Sequence, residues 1–297
     1  MFSRRTLLAA AATSPLISPT KAAPSAAPSA TQRTFLAFTK PLQSVAPEQL
    51  AQRLSAMGYT GVECPIRSGG RIDPTKIAEE LPRHLRALAE SNVDITIAAT
   101  DINDPDDAAT ETILRALVDA GVGHYRMAYY RYDKTTPLPR QIDAFTGKMK
   151  ALAAMNRDLG IAGLYQNHAN YRMFGGPIWD LHRSVENIDP AQLGVAFDLR
   201  HATVEGGKSY PLEWQLIRDH VRAFYVKDFQ WVDGDLVNRP LGRGQCDRDF
   251  YGELTDEQKA MPMSVHVEYL GHRDPKAVPQ IFEAFETDRR TLATWIH

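Results

Sequence analysis

The chain has 297 residues, of which 43% are hydrophobic and 24% charged, with a net charge of −2. That balance suits a globular protein with one large core. It offers neither the basic face that nucleic acid requires nor a polybasic membrane patch, so neither is expected as a partner.

Met1-Phe2-Ser3-Arg4-Arg5-Thr6-Leu7-Leu8 opens a short apolar run through Ile17, and small residues follow from Lys21 to Ala27. A basic start, a short apolar segment and a small-residue exit read as an export signal. Arg4-Arg5 ahead of Leu7-Leu8 resembles a twin-arginine leader. Residues 1–31 are therefore expected to be signal peptide and disordered linker, and residues 32–297 a single domain, periplasmic or secreted. The apolar run is too short to span a bilayer permanently. Cys64 and Cys246 make no disulfide framework, though one isolated disulfide between them is open.

From Arg33 onward, strand and helix signals alternate. A strand over Arg33–Thr39 leads to a helix over Pro47–Met57, with Pro at its start and Gly58 at its end. Gly61–Cys64 is the second strand. A helix opening at Pro74 runs toward Glu90, with a break or restart near Pro82. The third strand, Val93–Ala99, is almost wholly apolar, as a strand buried on both faces should be. A helix over Pro105–Ala120 carries acidic residues in its first turn. The fourth strand spans His124–Tyr130, and a long helix runs from Pro139 to Leu159 and stops at Gly160. Ala162–Gln166 is the fifth strand, Pro177–Asn187 a helix, and Gly194–Asp198 the sixth strand. A loop with Gly206-Gly207 precedes a helix over Leu212–His220, and Arg222–Lys227 is the seventh strand. Then come a long polar loop containing Gly234, Pro240, Gly242 and Gly244, a short helix within Asp247–Met261, an eighth strand over Ser264–Glu268, and a last helix over Ala277–Asp288.

Eight strand–helix units in a row predict an α/β fold, a single (β/α)8 TIM barrel with right-handed crossovers. The first strand ends in Phe38-Thr39-Lys40-Pro41-Leu42, without the glycine-rich turn of an open dinucleotide-binding sheet. In a barrel, strand C-termini share one mouth, so polar residues there are the site candidates. Asp198 and Glu268 each end an apolar strand, where a carboxylate is costly unless paired or bound to a cation. They are the first candidates for metal ligands. His168 and His201 lie just beyond the fifth and sixth strands and suit ligation or proton transfer. Lys227 is a candidate to stabilise an enolate or to act as an acid/base group. Glu63 is a further acid/base candidate, and Gln166, Asn167, Arg126, Asp101 and Lys40 are candidate substrate contacts. His266 reads as a packing layer of the barrel. Trp179, Trp214 and Trp231 are candidates to wall a sugar site, and Gly242-Arg243-Gly244 is a weak candidate for close approach to a ligand.

Gly61-Val62-Glu63, Tyr165-Gln166-Asn167-His168, Phe197-Asp198 with His201, Val226-Lys227-Asp228 and Val267-Glu268 together resemble the xylose-isomerase-like barrels. That superfamily comprises sugar (phosphate) isomerases and epimerases and also endonuclease IV; this chain looks most like its exported bacterial branch. The resemblance implies an isomerase or epimerase acting on a sugar or keto-sugar derivative, by proton abstraction next to a carbonyl. It also implies one divalent metal ion (Mn, Mg, Zn or Co) and a small-molecule carbohydrate partner. Family metal sites use Glu, Asp, His and Glu on strands five to eight. Asp198 and Glu268 match, whereas Gln166 and Tyr225 stand where the other two belong. Either His168 or His201 completes a rearranged site, or metal affinity is low or absent. The rival expectations are a lyase or hydrolase of an oxidised glycoside, including a metal-independent lyase using Lys227 and a histidine, and a degenerate barrel that only binds carbohydrate. The endonuclease branch needs three metals and a basic DNA-binding face.

Overall fold

The computed structural model describes residues 34–271 and 274–296; the expected leader and linker lie outside the described residues. The strands are β1 (Phe35–Phe38), β2 (Gly61–Pro65), β3 (Asp94–Ala99), β4 (His124–Arg126), β5 (Ala162–Gln166), β6 (Leu193–Asp198), β7 (Val221–Val226), β8 (Asp228–Val232), β9 (Asp235–Arg239) and β10 (Met263–Val265). All but β8 and β9 close into a parallel barrel in the order β1-β10-β7-β6-β5-β4-β3-β2. The expected (β/α)8 barrel is therefore what this sequence forms. The longer helices are α1 (Pro47–Ala56), α2 (Ile77–Ala89), α3 (Thr110–Asp119) and α4 (Leu138–Leu159). The others are α5 (Trp179–Val185), α6 (Leu199–Gly206), α7 (Tyr210–Ile217), α8 (Asp249–Gly252), α9 (Asp256–Ala260) and α10 (Val278–Trp295). Gly160 ends α4 in the left-handed conformation, its N–H on the Asn156 and Arg157 carbonyls.

Side chains alternate across each strand, and that period of two separates two cores. Leu36, Ile97, Leu164, Ala196, Ala223 and Tyr225 form a buried apolar cluster of their own. Val62, Ile95, Tyr165, Val195, Phe197 and Phe224 belong to the larger cluster that packs the helices on the strands. Two residues beyond the smaller cluster, on the same strand faces, come Gln166 after Leu164, Asp198 after Ala196 and Lys227 after Tyr225. The interior thus passes from an apolar plug to a polar mouth.

Local chemistry moved several boundaries. The helix expected from Pro105 starts at Thr110, because Asp104 and Asp107 accept the N–H groups of Asp106 and Ala109 in local turns that compete with helix. Helix α2 runs through Pro82 without a break; Ile77, Leu81, His84 and Leu88 are buried along it and hold it across the proline. The fourth strand stops at Arg126: Ala128 N–H turns to the Ile102 carbonyl, and the chain bends over the mouth. Residues after Asp198, expected as loop, form α6, capped by the Asp198 side chain on the His201 N–H. The expected polar loop after Lys227 begins as the hairpin β8–β9, turned by Asp233 (φ 53°) and Gly234 (φ 89°), the two-residue Asp-Gly turn that suits strand twist. Cys64 and Cys246 are both free thiols, so the disulfide does not form. Among the described residues, no helix is long and apolar enough to cross a membrane.

Candidate active site

The strand ends are linked around the mouth by one chain of polar contacts. Lys40 Nζ, just after β1, lies 3.8 Å from Glu268 Oε1. Lys227 Nζ, just after β7, lies 3.2 Å from Glu268 Oε2 and 3.1 Å from Asp198 Oδ2 at the end of β6. The same Asp198 oxygen accepts Gln166 Nε2–H from β5 at 2.7 Å. Gln166 Oε1 accepts from Arg126 on β4 at 3.0 Å and from the Tyr129 hydroxyl. Arg126 Nε in turn lies 3.4 Å from Glu63 Oε1 on β2. Glu63 Oε2 accepts from Ser264 Oγ and pairs with His266 Nε2, each at 2.8 Å, which closes the circuit near β10. The contacts follow the strand order from β1 round to β4, pass over β3, which contributes no side chain, and return from β2 to β10 across β1.

Burial divides this circuit in two. Glu63 is fully buried and Arg126 nearly so. Burial alone would raise the Glu63 pKa, but Arg126, His266 and the hydrogen bonds from His266 and Ser264 outweigh it and hold the carboxyl at about 2. His266 stacks on Phe38 and Tyr225, the packing layer expected of it. Higher up, burial would lower the Lys227 pKa, but Asp198 and Glu268 raise it, so the group stays an ammonium. Lys227 holds Glu268 well below the ordinary carboxylate range, against burial and with help from His266 and Lys40. The Glu268 side chain is 27% exposed, whereas that of Lys227 is 6% exposed.

The two histidines are neutral and differ in their free nitrogen. Burial, then the Lys227 charge, brings the His168 pKa down to about 4, and burial with Lys227, His168 and Arg200 depresses His201 further. His168 Nδ1 faces the Ala169 carbonyl, which only accepts; Nδ1 therefore carries the proton and Nε2 keeps a lone pair. At His201 the order is reversed. Arg200, always a donor, bonds Nδ1, so Nε2 carries the proton. That Nε2 has no hydrogen-bond partner and lies 3.6 Å from Asp198 Oδ2.

One cavity opens onto Glu268 and a second onto its partner Lys40. The first, of 540 Å³, is lined by His168, Arg200, His201, Trp231, Asn238 and Glu268 among others. The second, of 590 Å³, is lined by Lys40, Gln43, Arg67, Ser68 and Asp101 among others. Each is the size of a small-molecule site. Asp101 is bonded to the Ser68 N–H in the second. Trp231, 47% exposed, reaches the first cavity from the hairpin. Trp214 is instead half-buried against Phe197 and Phe250, and Trp179 lines neither cavity.

Several expected contacts are spent within the protein. Asn167 donates to the Asp198 carbonyl and accepts the Asp198 N–H, so it ties β5 to β6. Gln166 has both ends of its amide engaged, as above. The Gly242-Arg243-Gly244 loop wraps a carboxylate of the chain: Asp228 accepts the N–H groups of Phe229, Gly242, Gly244 and Cys246. A Cβ at Gly244 would lie 2.2 Å from Asp228 Oδ1, so only glycine fits there. Sequence reasoning passed over Tyr129, Arg67, Arg200 and Asn238. Arg200 joins His201 to Asn238 at 3.0 Å, and Asn238 reaches the Glu268 carbonyl at 3.2 Å. Asn238 lies on the overlooked hairpin; Asp233-Gly234 between Phe229, Trp231, Leu236 and Val237 was the signal for it.

The expected metal ligands Asp198, Glu268 and His168 do not assemble into a metal site. Asp198 Oδ2 and Glu268 Oε2 both close on Lys227 Nζ. A divalent ion among those oxygens would stand within roughly 3–4 Å of the ammonium, a repulsion on the order of 10 kcal/mol at an effective dielectric constant of about 20. Asp198 Oδ2 also takes the Gln166 N–H. His201, the alternative histidine ligand, has its lone pair on Arg200. Among the described residues, no three His, Cys, Asp or Glu side chains are arranged to hold a metal ion.

Residues 51–286 match the family model of the xylose isomerase-like TIM barrel. No curated protein matches the sequence. Among solved structures, the barrel is similar to the probable 3-DHS dehydratase AsbF from Bacillus anthracis, with 13% identity, a TM-score of 0.66, and coverage of 88% of this chain and 98% of that one. It is similar to 3-keto-D-glucoside 4-epimerase YcjR from E. coli, with 14% identity, a TM-score of 0.63, and coverage of 86% and 99%. It is also similar to the IOLI protein, solved with a zinc atom bound, with 13% identity, a TM-score of 0.64, and coverage of 89% and 98%. At such identities the likeness is one of fold. With the family model spanning most of the chain and the barrel closed as expected, the protein belongs to the xylose isomerase-like TIM barrel family.

Proposed function

We propose that the protein is a sugar isomerase or epimerase that moves a proton next to the carbonyl of a keto-sugar derivative. The observation that carries this reading is the Lys227 ammonium, held by Asp198 and Glu268 below a cavity that Glu268 shares with His168, His201 and Trp231. In this scheme a base takes the proton from the carbon beside the carbonyl, and the electron pair moves onto the carbonyl oxygen as an enolate. Lys227 stabilises that oxygen, and a fixed charge in a poorly hydrated site does so strongly. The His168 lone pair and the Glu268 carboxylate are the groups that exchange the proton. Return of the proton to the opposite face gives epimerisation; return to the former carbonyl carbon, with the adjacent hydroxyl proton passing to the enolate oxygen as that hydroxyl becomes the new carbonyl, gives isomerisation. His201 Nε2–H donates to a substrate oxygen, and Trp231 stacks on a sugar face. Glu63, Arg126, Gln166 and Asn167 act as positioning residues, because their polar groups are engaged beneath the mouth.

The family expectation of a divalent metal is not carried into this scheme, because the donor set does not fit one. A second reading, elimination from an acidic sugar derivative, draws support from Lys40 and Arg67 in the neighbouring cavity, where an anionic substituent would sit. The leader features of residues 1–31 support export to the periplasm by the twin-arginine route. Arg4→Lys with Arg5→Lys should then leave the protein in the cytoplasm.

The test of the reaction is proton exchange. Keto-sugars incubated with the enzyme in D2O should take up deuterium at the carbon beside the carbonyl, detected by NMR. Sugar binding without exchange on any keto-sugar would leave a carbohydrate-binding barrel instead.

A further inference from the structure

The geometry points to Lys227 as a resident cation that fills the seat a divalent metal would take between Asp198 and Glu268. Three independent features agree. The Nζ lies nearly equidistant from one oxygen of each carboxylate, at 3.1 and 3.2 Å. Gln166 presents an N–H, not a carboxylate, to the same Asp198 oxygen at 2.7 Å. Arg200 fixes His201 in the tautomer that offers a proton toward that oxygen and no lone pair. A metal site needs lone pairs converging on one point. Here every group around the Asp198 oxygen is a donor, so the electrostatic role of the ion falls to a side chain. Tyr225 is buried against Arg126 and His266 and adds no ligand.

This assignment concerns binding in the absence of substrate, so it stands or falls separately from the proposed reaction. The experiment is a calorimetric titration of the purified mature chain with Mn2+ and with Zn2+, on wild type, Lys227→Ala and Lys227→Ala/Asp198→Asn. Wild type should show no site that depends on Asp198 and Glu268. Lys227→Ala removes the ammonium from between the two carboxylates and should gain at least tenfold in affinity for either ion, and Asp198→Asn should abolish the gain. A stoichiometric wild-type site lost in Asp198→Asn or Glu268→Gln would overturn the assignment, as would a folded Lys227→Ala that gains nothing. Should Lys227→Ala not fold, the wild-type protein decides: its Tm should be indifferent to Mn2+ and to chelators. A Tm rise with Mn2+ that Glu268→Gln removes would overturn the assignment.

Discussion

Two carboxylate–cation centres lie along the same barrel interior and differ in what can reach them. Around Glu63 the charges are sealed: Arg126, His266 and Ser264 surround a carboxylate with no exposed surface. Around Lys227 the charges are just as tightly paired, yet Glu268 opens onto the cavity that holds Trp231 and His168. The contrast teaches that a charged group at a strand end is not by itself a reacting group. The deeper centre is closed to any ligand and orients Gln166 through Arg126, whereas in the proposed reaction the upper one meets the substrate.

The largest effect should come from Lys227→Met. Removing a fixed charge from a developing oxyanion costs about 10² to 10³-fold in kcat, and steady-state assay of any substrate found by deuterium exchange measures it. Full activity in the folded variant would put the reacting centre elsewhere. Next in size, Glu63→Gln should act on stability. Breaking a buried pair costs about 3–5 kcal/mol, read by urea denaturation, while the kcat of the folded protein changes by only a few-fold. A large loss of kcat with stability unchanged would erase the distinction between the two centres.

The acid limb of stability should separate them by pH. The folded-state pKa of His168 is depressed from 6.5 to about 4, so its contribution is present above pH 6.5 and is lost as the pH falls toward 4. That of Glu63 is depressed from 4.5 to about 2, so its contribution is lost between those values. At about 1.36 kcal/mol per pKa unit, the His168 part amounts to about 3 kcal/mol. His168→Gln should therefore lose less stability than the wild type between pH 6.5 and about 4.5, with His201 still contributing to the remaining fall, and urea midpoints across pH would show it. A wild-type curve already flat to pH 4.5 would remove this account of His168. The smallest effect should come from Arg67→Ala: a KM raised several-fold for acidic sugar derivatives, kcat and Tm unchanged, and no effect on neutral sugars.

Much of this was legible in the sequence because strand and helix signals are local. Pro47 and Gly160 mark helix ends by their backbone geometry, and the apolar run before Asp198 announces a buried strand. The carboxylates at 198 and 268 and the lysine at 227 were found for the same reason, each standing at the end of such a run. What the residues could not show is partnership. Glu63 meets His266 across 203 residues, and nothing near either one distinguishes a sealed pair from a catalytic base. Gln166 and Asn167 looked like substrate contacts until Arg126, Tyr129 and the Asp198 backbone were seen to use them up. Helix α6 was missed because Thr, Val, His and Gly form helix weakly, and its start depends on the Asp198 cap. The hairpin carrying Trp231 and Asn238 was readable from Asp233-Gly234 and was overlooked.

The most direct test of the account is solvent-deuterium exchange into a keto-sugar, measured by NMR on enzyme stripped of metal by exhaustive chelation and on its Lys227→Met variant. The stripped wild type should exchange at its full rate, and the variant about 100-fold or more slowly. Exchange that stops on stripping and returns with Mn2+ would contradict the assignment of Lys227 as the resident cation.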